Sequence, residues 1–242
     1  VWRFDVNGSV EPKNSALLLA QLRSTSGSTD YQPVQTRPEL YEMNYGGVKY
    51  PVVLVGTGQY LGATDLSTTA TQSIYAIKDP MTSTGWGPIR SSSDLVTRTL
   101  EFVSGRTDQR QLASPMTKVD WSRKIGWTVA LPTSKERVAI DMNLQLDTLG
   151  VVSHVPTGTA CSASGQSWVY FLDVGAQAST SPLVGTLIKS GLGTGITWLD
   201  QGTSGSTVLV PDDKLGINTR QPPTSSGSTN KTQRVSWREL VN

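Results

Sequence analysis

The chain has 242 residues with a net charge of +2, one His (His154), one Cys (Cys161), 23 Gly and 13 Pro. One Cys excludes an internal disulfide framework and a thiolate zinc site, and one His allows at most one triad or one mixed His/carboxylate metal site. No apolar run approaches the roughly 20 residues of a membrane span, and a small charge spread along the chain is no nucleic-acid footprint.

In chain order, the apolar segments are short and rich in β-branched and aromatic residues. Strands are predicted over 1–6 (VWRFDV), 50–55, 73–77, 126–131, 137–140, 149–155, 168–174 and 195–199. Each ends near Gly, Pro, Asp or Thr, as strands do. The window 12–23 (PKNSALLLAQLR) reads equally as one or two helical turns or as a buried strand. Polar stretches separate these segments: 24–30, 62–72 and 80–93 are rich in Ser and Thr. Residues 222–233 (PPTSSGSTNKTQ) hold almost no apolar side chain and are expected to be mobile. Apolar and polar residues then alternate over 235–240, so this closing segment is expected to dock back onto the sheet. The fold class is therefore all-β. Because the chain opens at Val1 with neither Met nor signal sequence, it is expected to be a piece of a larger processed protein, and the compartment stays open.

Repetition narrows the architecture. Trp2-Arg3-Phe4-Asp5, Tyr75-Ala76-Ile77-Lys78 and Tyr170-Phe171-Leu172-Asp173 share an aromatic, any, apolar, charged pattern followed by a turn. Segments ending in Thr-Gly (VVLVGTG at 52–58, VVSHVPTG at 151–158) precede the second and third. A β-propeller with decorated blades fits this irregular repetition; a sandwich of mutually similar strands is the alternative.

The segments resemble the PilY/PilC family of type IV pilus biogenesis factors and tip-associated adhesins. The resemblance rests on VWRFDV (1–6), VLVGTGQYL (53–61), Gln72-Ser73-Ile74-Tyr75-Ala76-Ile77-Lys78-Asp79, Gly126-Trp127 leading to LPTSKERV (131–138), then Cys161, Gly165, Ser167-Trp168 and the closing Ser236-Trp237-Arg238-Glu239-Leu240. It implies a quinoprotein-like modified β-propeller, of which residues 1–242 would be the later blades. It also implies a non-enzymatic role at the pilus tip, outside the cell, promoting assembly against retraction and attaching to host or abiotic surfaces, with pilins as partners. Two further readings stand beside it: a pyrroloquinoline quinone dehydrogenase fragment, and a secreted carbohydrate-binding propeller.

The family is associated with calcium in an acidic loop. The nearest candidate here, Asp5, Asn7, Ser9 and Glu11, has oxygens at alternate positions, but only two carboxylates and no Gly six positions in. A turn with Asn7-Gly8 at its tip is the competing reading. No cofactor is expected in this segment. Cys161, in a polar loop, is expected either to form a disulfide to a segment outside the chain or to be a free thiol. His154 lies between apolar neighbours and reads as a half-buried structural residue. The Gly-rich runs at 191–195 and 202–205 lack both a nucleophile elbow and a dinucleotide fingerprint. The sequence of Ala76-Ile77-Lys78-Asp79 followed by Thr82, Gly85 and Trp86 resembles a quinoprotein tryptophan-docking repeat. Tyr41, Tyr45, Trp86 and Trp121, read as exposed aromatics in polar loops, are candidate adhesive anchors.

Overall fold

The computed structural model describes residues 1–6, 8, 11–24, 30–90, 92–158, 164–177, 183–200 and 206–222. Sixteen strands are described. A two-stranded sheet pairs β1 (Trp2–Arg3) with β2 (Leu17–Leu18). A five-stranded sheet runs β3 (Glu39–Tyr45), β4 (Val48–Gly56), β5 (Ser73–Lys78), β9 (Gly126–Ala130), β6 (Leu95–Arg98). A six-stranded sheet runs β10 (Asn143–Gln145), β11 (Thr148–Pro156), β12 (Gly165–Asp173), β13 (Leu183–Ile188), β8 (Gln109–Leu112), β7 (Leu100–Phe102). A three-stranded sheet runs β14 (Thr197–Asp200), β15 (Ser206–Pro211), β16 (Ile217–Arg220). Among the described strands only β6 and β9 pair in parallel, and the other ladders are antiparallel.

The sheets lie face to face in series, and period-two alternation sorts their side chains into three cores. Ile74 and Ala76 of β5, with Trp127 and Val129 of β9, meet Trp168, Tyr170 and Leu172 of β12 in the central core. The intervening residues Tyr75 and Ile77 turn the other way, onto Ala20, Leu22 and Ile89. Val169 and Phe171 of β12 turn onto Val208 and Val210 of β15. Strands covered on both faces need apolar residues at every position, which is why β5 and β12 read as continuous runs. Each fully buried aliphatic or aromatic side chain here contributes roughly 1.5–3 kcal/mol. The result is an all-β stack of separate sheets, with no closed barrel among the described residues, as expected of a propeller-like fragment.

Two glycine sites fix this geometry. Gly46 and Gly47 (φ +60° and +79°) close the β3–β4 hairpin between the paired Tyr45 and Val48, a two-residue turn that requires positive φ at both centres. At Gly126 (φ +143°) an added Cβ would stand 2.0 Å from the Ala76 carbonyl oxygen, so the β5–β9 pairing admits no side chain there.

The strands expected over 50–55, 73–77, 126–131, 149–155, 168–174 and 195–199 correspond to β4, β5, β9, β11, β12 and β14. Three expectations need correction. The 1–6 strand shortens to Trp2–Arg3. The 12–23 window divides into one 3-10 turn (Pro12–Asn14) and β2. Residues 137–140 form no strand, only an isolated bridge between Arg137 and His154, because this segment crosses between sheets. Residues 223–242 lie outside the described residues, and with them the closing segment and all but the first residue of the 222–233 loop.

Candidate functional site

The segment 131–138 (LPTSKERV) joins the five-stranded sheet to the six-stranded one, and its two charged neighbours diverge. Glu136 enters the six-stranded sheet. Its carboxylate accepts from Arg110 Nη1 of β8 (2.8 and 3.1 Å), Ser153 Oγ of β11 (2.7 Å), the Tyr170 hydroxyl of β12 (2.6 Å) and the Thr133 backbone N–H (3.2 Å). Arg110 also donates to Tyr170 and Thr133, and its guanidinium stacks 3.7 Å from the Trp168 ring centroid. The Arg110 and Glu136 side chains are 1% and 0% exposed. A charge pair this deep needs most of its remaining hydrogen-bonding capacity filled; here only Arg110 Nε is buried without a partner. Burial, and then the Glu136 carboxylate, raise the Tyr170 pKa well above the ordinary phenol value, so Tyr170 stays a neutral donor.

Arg137 turns the opposite way. Its guanidinium donates to the carbonyls of Gln59, Asp65, Thr68 and Lys135. That holds the loop after β4, where the next backbone N–H groups, Leu61 and Gly62, bind the Asp65 carboxylate. One Glu-Arg dipeptide thus clamps two sheets through opposite partners. Gly56 and Gly58 leave room for it, since a Cβ would meet Val138 at 2.6 Å and Arg137 at 2.4 Å respectively.

Indole N–H groups lock the ends of the central strands. Trp86 Nε1 donates to Lys78 O at the end of β5 (2.6 Å), and Trp127 Nε1 donates to Val174 O just past β12 (2.8 Å). Two of the three aromatic segments of the sequence repeat therefore carry an indole cap at or just past their ends. Trp121 Nε1 adds a bond to Gly175 O (2.8 Å), while Lys78 Nζ donates to Trp121 O. His154 is buried deeper than expected, at 5% exposure. Its Nε2 lies 2.6 Å from Gly193 O, a contact that requires Nε2–H, and its Nδ1 has no partner. Burial holds its pKa below 6.5; Gly193 O and Asp213 oppose the shift, and Arg137 adds to it.

The four candidate anchors separate. Trp121 is fully buried, so its reading as an exposed loop aromatic is corrected: its indole fills the inter-sheet core and its N–H finds a distant carbonyl. Tyr41 and Tyr45 lie on strand β3 rather than in a loop, and both pack partly against the central core. The Tyr41 hydroxyl donates to Asp147 (2.6 Å); burial and that carboxylate raise its pKa. Trp86 is half-buried against Ile77 and its neighbours.

Of the calcium candidate, Asn7 and Ser9 lie outside the described residues. The Asp5 carboxylate accepts the Gly8 N–H (2.9 Å) and Glu11 pairs with Lys13 (2.7 Å). No group of three metal-ligating side chains occurs among the described residues. Cys161 also lies outside them. The Arg110 clamp was not anticipated; its signal was an Arg in phase with Leu112 on the inward side of β8.

No family model matches the chain, and no curated protein matches it. Among solved structures it is similar to the crystal structure of the Pseudomonas aeruginosa PilY1 C-terminal domain. The TM-score is 0.62 at 17% identity, over 92% of this chain and 56% of that one. The chain therefore has that fold and spans little more than half the length of the solved domain.

Proposed function

We propose that this chain is part of a non-enzymatic type IV pilus factor that acts outside the cell at the pilus tip. There it promotes assembly against retraction and attaches to host or abiotic surfaces. The observation that carries this reading is the shared fold with the PilY1 C-terminal domain over nearly the whole chain. The ordered motif resemblance supports it, and its LPTSKERV element proves to be the inter-sheet clamp. The side chains best placed for chemistry, Glu136, Ser153 and Tyr170, are buried and bonded to one another, as suits a scaffold that works by binding. Pilins and the attachment surface are the proposed partners.

The test is deletion of the encoding gene in its own host, with surface pilin measured in backgrounds with and without the retraction motor. The reading requires piliation to drop and to recover when retraction is removed. Unchanged piliation and attachment in the deletion strain would refute it.

A further inference from the structure

Three arginines are buried among the described residues, and they are not alike. Arg110 is neutralised by Glu136, although its Nε has no partner, and Arg137 donates to four carbonyls. Arg98, at the end of β6, is 8% exposed. Its guanidinium stands 5.8 Å from the Trp127 ring centroid, and Nη2 donates to Ala176 O (3.1 Å) and, at 3.5 Å, to Thr117 O. Nε is sealed from solvent without a partner. Nη1 makes no hydrogen bond among the described residues, and no carboxylate there forms an ion pair with Arg98. Burial pulls its pKa below the ordinary guanidinium value, with Asp173 opposing electrostatically. A desolvated cation in this condition lacks an anion.

Arg98 is also the one charged residue lining a cavity of about 110 Å³ where the five- and six-stranded sheets meet. The rest of the lining is hydroxyl-bearing (Thr97, Thr99, Ser114, Thr117) or apolar (Leu112, Ala113, Pro115, Met116). The cavity is small, so a ligand enters it by a carboxylated ring edge and not as a length of chain. The rim offers side-chain hydroxyls, which suit polyhydroxylated rings.

We propose that this cavity binds the carboxylate of an acidic sugar of the uronic acid type. Arg98 donates to the carboxylate, and the rim threonines and Ser114 meet the ring hydroxyls. The site goes beyond the pilus reading and stands whether or not that reading holds.

The test titrates the full chain with galacturonic acid, its methyl ester, galactose and an acidic dipeptide. Ligand-observed NMR and tryptophan fluorescence report binding, since Trp127 lies under Arg98. Galacturonic acid is expected to bind saturably, with the ester and galactose weaker by about tenfold or more, the value of a charge-assisted bond. R98K keeps the charge but loses the fork and should weaken binding by a similar factor. T99Y, at an exposed rim position, should block the cavity while leaving the fold's circular dichroism unchanged. Equal binding of acid and ester, no saturable binding, undiminished binding by T99Y, or preference for the dipeptide would each overturn the assignment.

Discussion

Glu136→Gln removes one charge from the clamp at nearly constant side-chain size. In the native protein Oε1 accepts from Tyr170, Ser153 and Arg110, and Oε2 accepts from Arg110 and Thr133. Every neighbour is a donor, so a carboxamide must turn its NH2 onto one of these sets. Arg110, 1% exposed, then has no counter-charge. Removing one partner of a buried pair costs about 3–5 kcal/mol. Retention of the Trp168 stack and the Thr133 bond places the expected loss near the lower end, about 3 kcal/mol. Against a total stability of roughly 5–15 kcal/mol, this is a large fraction. Urea unfolding followed by tryptophan fluorescence measures it: with a slope of about 3 kcal/mol/M the midpoint falls by about 1 M. Arg110→Met combined with Glu136→Leu removes both charges and should recover most of the loss. A single variant within about 1 kcal/mol of wild type, or a double variant losing the sum of the singles, would refute the clamp as the element that ties these sheets.

The buried neutral state of His154 makes stability depend on pH. Its folded pKa lies below 6.5, so below pH 6.5 the unfolded chain binds more protons, and stability falls towards the folded value by up to about 1.4 kcal/mol per pH unit. Melting temperatures across pH 5–8 should show this slope, flattened in His154→Gln. Trp121→Ala should cost about 3–5 kcal/mol in the same urea assay, whereas a surface anchor would change stability little. Gly126→Ala should cost at least about 1–3 kcal/mol, because its Cβ meets the Ala76 carbonyl. Arg137→Ala should release the 59–68 loop, read as faster proteolytic cleavage there with the six-stranded sheet's hydrogen exchange unchanged.

The parts of the fold legible in the sequence are the strands buried on both faces. β5 and β12 announce themselves because apolar side chains serve a core on each side. Strands β6 and β8 escaped notice because they are four residues long and carry Arg98 and Arg110 at buried positions, where they look like loop charges until the partner sheet is in place; β13 escaped because Gly185 and Thr186 interrupt its apolar run. The aromatic repeat was legible, but the Trp N–H caps at the ends of β5 and β12 depend on contacts 8 and 47 residues away along the chain. Trp121 misled for the same reason: flanked by Asp120 and Ser122 it looks solvent-facing, yet its partner Gly175 is 54 residues distant. Tyr41 and Tyr45 sit in a polar-looking stretch whose Gly-Gly turn is a hairpin signal and makes β3 a strand.

The most direct measurement is immunogold labelling of sheared, purified pili with an antibody raised against this chain. Label is expected in the pilus fraction, concentrated at filament ends. A protein absent from that fraction while pili are intact would contradict it.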